Sequence, residues 1–167
     1  MIFSELKSKI AFVDTQVNDY QTLIDALDGN TEVVLISVGD GLQQMADALA
    51  GRSGMDAIHV LSHGSSGAFQ LGTSTLSNTN INTYTSQIAT IGQSLGAGGD
   101  LLLYGCNVAQ GDTGRAFIGQ IAKITGANVA ASTNVTGAAA LGGDWELEYR
   151  VGAIKTIALN APDWQGT

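Results

Sequence analysis

Residues 58–67 read IHVLSHGSSG, and residues 101–111 read LLLYGCNVAQG. Each is an apolar run of strand length that stops at a polar residue beside glycine: His63 before Gly64, and Cys106 after Gly105. A short continuous apolar run bounded by turn residues suits a strand covered on both faces, as in a parallel sheet. Working outward, KIAFVDT (9–15), EVVLISV (32–38) and ANVAAS (127–132) have the same form. Between them lie stretches with helical spacing. NDYQTLIDALDGN (18–30) has Asn18 as its expected N-cap and Gly29 as its stop, and GDGLQQMADALAG (39–51) repeats Leu42, Met45, Ala46 and Leu49 on one face. INTYTSQIATIGQSL (81–95) is a third helix, and TGRAFIGQIAKITG (113–126) a fourth that ends at Gly126. Strands alternating with helices predict an α/β domain with a mostly parallel sheet and helices on both faces.

Two segments depart from that alternation. GAFQLGTSTLS (67–77) reads as a small hairpin, and GDWELEYRVG (143–152) sets Trp145, Leu147, Tyr149 and Val151 against charged neighbours, as a half-exposed antiparallel edge strand does. AIKTIAL (153–159) either pairs with that strand or covers the core. NAPDWQGT (160–167) carries the punctuation of a domain exit, so residues 1–160 form one expected domain and 161–167 an exit linker.

Composition narrows the function classes. The chain has 167 residues, enough for one sizeable core, and its 44% apolar content is too high for a disordered chain. A net charge of −8 repels phosphate backbones, which disfavours nucleic acid as a partner. One cysteine permits neither an internal disulfide nor a cysteine-based zinc site. Glu5 and Lys7 interrupt what would be the apolar core of a signal peptide, so none is visible. No stretch approaches the roughly 18 apolar residues of a membrane span.

In open α/β sheets, ligands bind at the carboxyl ends of the strands. Those ends carry Asp14, Asp40, His63, Cys106 and Ser132 with Thr133. If the third and fourth predicted strands are neighbours, their ends lie about 5 Å apart, close enough for an imidazole to reach a sulfur. A thiol becomes a strong nucleophile when a histidine takes its proton, and the amides of Gly64 and Cys106 are placed to donate to a developing oxyanion. Each residue also has a plainer explanation. A strand-end cysteine is often a buried small hydrophobe, a strand-end histidine often a satisfied structural group, and Asp14 equally suits a turn cap. His59, inside the strand, reads as structural. Asp40 and Asp144 stand in glycine turns whose oxygens suit calcium, though such turns need no ion. GDGLQQMA lacks the G-x-G-x-x-G pattern and the lysine of a phosphate-binding loop.

HVLSHG (59–64) and LLLYGC (101–106) resemble the His-Gly and Gly-Cys strand ends of the caspase-like cysteine peptidases, which include caspases, gingipains, clostripain, separase and CHAT domains. Nearly the whole chain, from IAFVDTQVNDYQTLIDAL through GANVAASTNVTGAAALGGDWELEY, is similar to the bacterial domain of unknown function 4347. The resemblance implies a three-layer caspase-like α/β fold with an antiparallel C-terminal edge hairpin. It implies a cysteine endopeptidase needing no cofactor, with His63 as general base, Cys106 as nucleophile and the Gly64 amide in the oxyanion hole. It puts Asp14 in the substrate pocket, with a preference for Arg or Lys, beside Ser132 and Thr133 as substrate-binding residues. The caspase signature Gln-Ala-Cys-Arg-Gly is absent, so a preference for aspartate is not implied. The 4347 domain usually lies near the start of very large secreted or surface proteins, which implies an extracellular or cell-surface setting. The substrate would then be a peptide or protein, including the parent chain itself. The alternative is an inactive interaction or capping module of an adhesin-like protein, and the oligomeric state stays open.

Overall fold

The structure, a computed structural model, describes residues 8–167, so Glu5 and Lys7 lie outside the described residues. In chain order the elements are β1 (Lys9–Asp14), α1 (Tyr20–Asp25), β2 (Thr31–Ile36), α2 (Gly41–Leu49), β3 (Met55–Leu61), β4 (Gly64–Ser65), β5 (Ala68–Leu71), β6 (Ser74–Ser77), α3 (Thr85–Ser94), β7 (Leu95–Tyr104), α4 (Gly111–Thr125), β8 (Asn128–Ala131) and β9 (Tyr149–Val151). The central sheet runs β2-β1-β3-β7-β8-β9 and is parallel except where β9 meets β8. A small antiparallel sheet, β4-β5-β6, is inserted after β3. The protein is therefore an α/β domain with a mostly parallel sheet, flanking helices and an antiparallel edge. Among the described residues no helix is long and apolar enough to cross a membrane.

The alternation of side chains along each strand divides the core in two. Ile10 and Phe12 of β1, Ile58 and Val60 of β3, and Leu101 and Leu103 of β7 face α2, α3 and α4. Leu42, Met45 and Leu49 of α2, Ile88 and Ile91 of α3, and Phe117, Ile118 and Ile121 of α4 complete that layer. The helix ends follow from local chemistry. Asp40 caps α2 by accepting from the Gln43 amide, and Gly126 ends α4 with φ 70°, a conformation glycine adopts without cost.

The opposite face differs from the expected helical layer. Ala11, Val13, Leu61, Leu102 and Tyr104 are covered by Leu23 of α1 and by Leu147, Leu159, Ala161 and Trp164 from irregular chain. Helix α1 begins at Tyr20, and Asn18 does not cap it; the residue before the helix is Asp19, with φ 52° and no side-chain cap bond. The Asn18 carbonyl instead accepts from the Trp164 indole at 2.8 Å. The edge strand is confined to Tyr149–Val151, because Leu147 turns into the core and Trp145 packs on Tyr104 and Trp164. Residues 161–167 likewise close the domain instead of leaving it: Ala161 and Trp164 are buried, and the Gly166 carbonyl accepts from the Ala138 amide at 2.8 Å.

A buried polar strut ties the irregular chain to the sheet. The Tyr104 oxygen accepts from the Leu159 amide at 2.9 Å and lies 2.9 Å from His59 Nδ1. The imidazole and the phenol share this hydrogen bond, with the donor set by the imidazole tautomer. Burial, reinforced by the Lys9 charge, lowers the His59 pKa from 6.5 to about 4, and burial pushes the Tyr104 phenol upward. His59 is thus structural, as its position inside β3 predicts.

This strut makes stability depend on pH. The unfolded chain takes up the His59 proton before the folded one does, so the stabilisation is complete above pH 6.5 and is lost as pH falls through about 4. The loss amounts to at most about 3 kcal/mol. Urea unfolding between pH 7 and pH 4.5 should show a steeper decline for the native protein than for His59→Gln; parallel curves would exclude the strut as the cause.

Candidate active site

The β3–β7 register sets the site. Leu61 stands opposite Tyr104, and the Ser62 amide continues the ladder by donating to the Tyr104 carbonyl at 3.1 Å. The next residues on each strand are His63 and Gly64, and Gly105 and Cys106. Here the two backbones approach as far as glycine permits. A Cβ on Gly64 would sit 2.3 Å from Val108 Cγ2 and 3.0 Å from the Cys106 carbonyl oxygen. A Cβ on Gly105 would sit 3.0 Å from Phe69 and 3.2 Å from both the Gly64 nitrogen and the Ser62 oxygen. A side chain at Gly64 would collide with Val108 across the crevice, and one at Gly105 would need its neighbours to give by a few tenths of an ångström.

The chain turns sharply after Cys106. Asn107 adopts φ 60°, a left-handed conformation asparagine tolerates, and its amide donates to the Asn134 carbonyl at 2.8 Å. The Ala109 amide donates to the Ser132 carbonyl at 2.8 Å, and the Thr136 hydroxyl to the Gly105 carbonyl at 3.2 Å. The loop after β8 thus holds the Cys106 turn in place. The Cys106 thiol is partly buried and donates to the Thr136 carbonyl at 3.7 Å, while its own amide has no hydrogen-bond partner among the described residues.

His63 and Cys106 open onto one cleft, together with Gly105 and Thr136. The imidazole and thiol are not hydrogen-bonded to each other, since the thiol is turned to Thr136. Val17, Leu23, Leu61, Tyr104, Trp145 and Trp164 supply most of the remaining wall. None of these six follows from strand-end logic. Tyr104 directly precedes the Gly-Cys pair, and a polar-tipped aromatic ending an apolar strand was the one available signal.

The other expected site residues lie elsewhere. Asp14 is 0% exposed, and its carboxylate accepts from the Ser62 hydroxyl, the Gly72 amide and the Gln16 amide, each at 2.9 Å. It anchors the β5–β6 turn to the end of β3 and is not placed to read a substrate side chain. Ser132 is also fully buried, bonded to Asn134, and Thr133 offers its amide to Glu148 at 3.0 Å. Neither lines the cleft. Asp40 is occupied in capping α2, and Asp144 accepts from the Asn134 side chain and the Glu146 amide. Among the described residues, no three histidine, cysteine or acidic side chains converge to hold a metal ion.

Asp14→Ala should therefore act on stability. It leaves the buried Ser62 hydroxyl and Gly72 amide without an acceptor, a loss of about 2–4 kcal/mol in urea unfolding. A variant as stable as the native protein would show that the carboxylate is not an anchor.

No curated protein matches the chain. The family model described as Domain of unknown function (DUF4347) matches residues 10–166, a span that runs from β1 through the buried Trp164 and includes every residue of the cleft but Thr167. The chain belongs to the DUF4347 family.

Proposed function

We propose that the protein is a caspase-like cysteine endopeptidase in which His63 and Cys106 form a catalytic dyad. The observation that carries this reading is that these two residues, from different strands, open onto one cleft beside a glycine-to-glycine contact. To pass its proton to the imidazole the thiol must leave the Thr136 carbonyl, and catalytic hydrogen bonds often tighten only when substrate is bound.

The reaction then runs as acyl transfer. His63 takes the thiol proton, and the thiolate attacks the carbonyl carbon of the scissile peptide bond. The oxyanion receives the unpartnered Cys106 amide, with Gly64 as second donor. The C–N bond breaks as the imidazolium protonates the departing amine, leaving a thioester. Water, deprotonated by His63, attacks the thioester and releases the carboxylic acid and the thiol. No cofactor is needed. In the setting the resemblance implies, the substrate is a segment of a large bacterial surface or secreted protein, either the parent chain or a partner.

A second reading is favoured by one observation. The resting thiol is satisfied by Thr136, as in a packing cysteine of an inactive capping or interaction module. Cys106→Ala separates the two. It removes a single weak hydrogen bond and should leave the thermal midpoint within a few degrees of native. On the peptidase reading it abolishes both cleavage of an unfolded protein substrate and labelling by a peptidyl electrophile. Cleavage that survives the substitution would mean the thiol is not the nucleophile, and a native protein inert in both assays would favour the module.

A further inference from the structure

The space left in the cleft is about 20 Å³, enough for one water and far short of an extended peptide. A peptidase has to seat the backbone of its substrate against the thiol, so on that reading part of the lining must move. Most of the lining is fixed. Leu61 and Tyr104 are paired across the sheet, and His63 and Cys106 follow directly on those strands. Trp145 and Trp164 pack with the core of the second face. Thr167, which also lines the cleft, is held differently.

The chain here is firm on one side of Trp164 and lightly attached on the other. Trp164 is buried, its indole N–H donates to the Asn18 carbonyl at 2.8 Å, and its amide donates to the Ala161 carbonyl at 3.1 Å. Beyond it Gln165 is exposed, and Gly166 and Thr167 are half-buried. The Gln165 side chain bonds only back to the Asp163 carbonyl. Among the described residues, residues 165–167 are joined to the body of the domain by one hydrogen bond, from the Ala138 amide to the Gly166 carbonyl at 2.8 Å.

The contact is nonetheless close. Gly137 has φ 130°, and a Cβ there would collide with the Gly166 carbonyl oxygen and lie 2.9 Å from Thr167 Cα. The segment therefore lies directly on residues 136–138. The same short loop holds the resting thiol through the Thr136 carbonyl and the segment through the Ala138 amide.

Resting on the peptidase reading, we propose that residues 165–167 are a built-in plug of the active site. Docked on Ala138, they stand where substrate backbone has to enter beside Cys106. Released, with Trp164 as the fixed pivot, they open the cleft. One backbone hydrogen bond is weak enough for a competing peptide to displace them.

Two variants remove the plug by different routes. Deletion of residues 165–167 leaves Trp164 in place. Ala138→Pro keeps the whole segment and removes its donor, and Ala138 already has φ −64°, the value a proline ring imposes. The readout is alkylation of Cys106 by iodoacetamide and by its bulky fluorescein conjugate, which share one chemistry and differ in size. In both variants the conjugate should react at least fivefold faster than with the native protein, while the iodoacetamide rate changes less than twofold. Cys106-dependent cleavage of an unfolded protein substrate should rise at least fivefold as well. Unchanged rates with the conjugate overturn the plug and leave the peptidase to be judged by its cleavage alone. Both reagents accelerating together overturn it too, since that marks a loosened domain. Faster reaction of the conjugate with no cleavage by any of the three proteins removes the peptidase reading, and with it the regulatory role of the segment.

Discussion

The parallel pairing of β3 with β7 places Leu61 opposite Tyr104, and everything at the candidate site follows from that register. A slip of one residue would turn every side chain of β3 to the other face of the sheet. It would send His63 away from Cys106 and bury His59 against the helices. The register is locked from both sides. Ile58 and Val60 pack under α2 to α4, and the Ser62 amide bonds to the Tyr104 carbonyl. Beyond the last ladder bond the strands continue to touch through Gly64 and Gly105, and a side chain at Gly64 would meet Val108.

The second face of the sheet serves packing and the cleft with the same residues. Tyr104 holds Leu159 through its hydroxyl, stacks near His59 with centroids 5.7 Å apart, and presents its ring to Trp145. Trp164 reaches back across the sequence to Asn18 and closes the same wall. Because irregular chain covers this face in place of a helical layer, it leaves a gap beside the strand ends, and the cleft occupies that gap. The chain from Leu147 to Trp164 is therefore part of the site's architecture as well as of the core.

Much of the sheet was legible in the sequence because its determinants are local. Five apolar strands, the β5–β6 hairpin and the Gly126 stop of α4 all follow from residue periods and turn chemistry. The adjacency of the strands ending at His63 and Cys106 was only a condition of the sequence reading, and the β3–β7 pairing supplies it. What was not legible depends on distant partners. The anchoring role of Asp14 needs Gly72, and the burial of Trp164 needs Asn18. The alternation of Trp145 and Leu147 is the pattern of an edge strand, yet Leu147 is buried in the core and half-buried Trp145 packs on Tyr104 and Trp164. Periodicity registers which residues are apolar but not whether a ladder or a core receives them.

The central claim is that His63 acts on the Cys106 thiol, and the chain is suited to a direct test because Cys106 is its only cysteine. The measurement is the rate of alkylation by iodoacetamide at neutral pH in the folded native protein and in folded His63→Ala. If the imidazole withdraws the thiol proton, the substitution should slow alkylation at least tenfold. Equal rates in the two proteins would contradict the dyad and leave Cys106 as a packing residue held by Thr136.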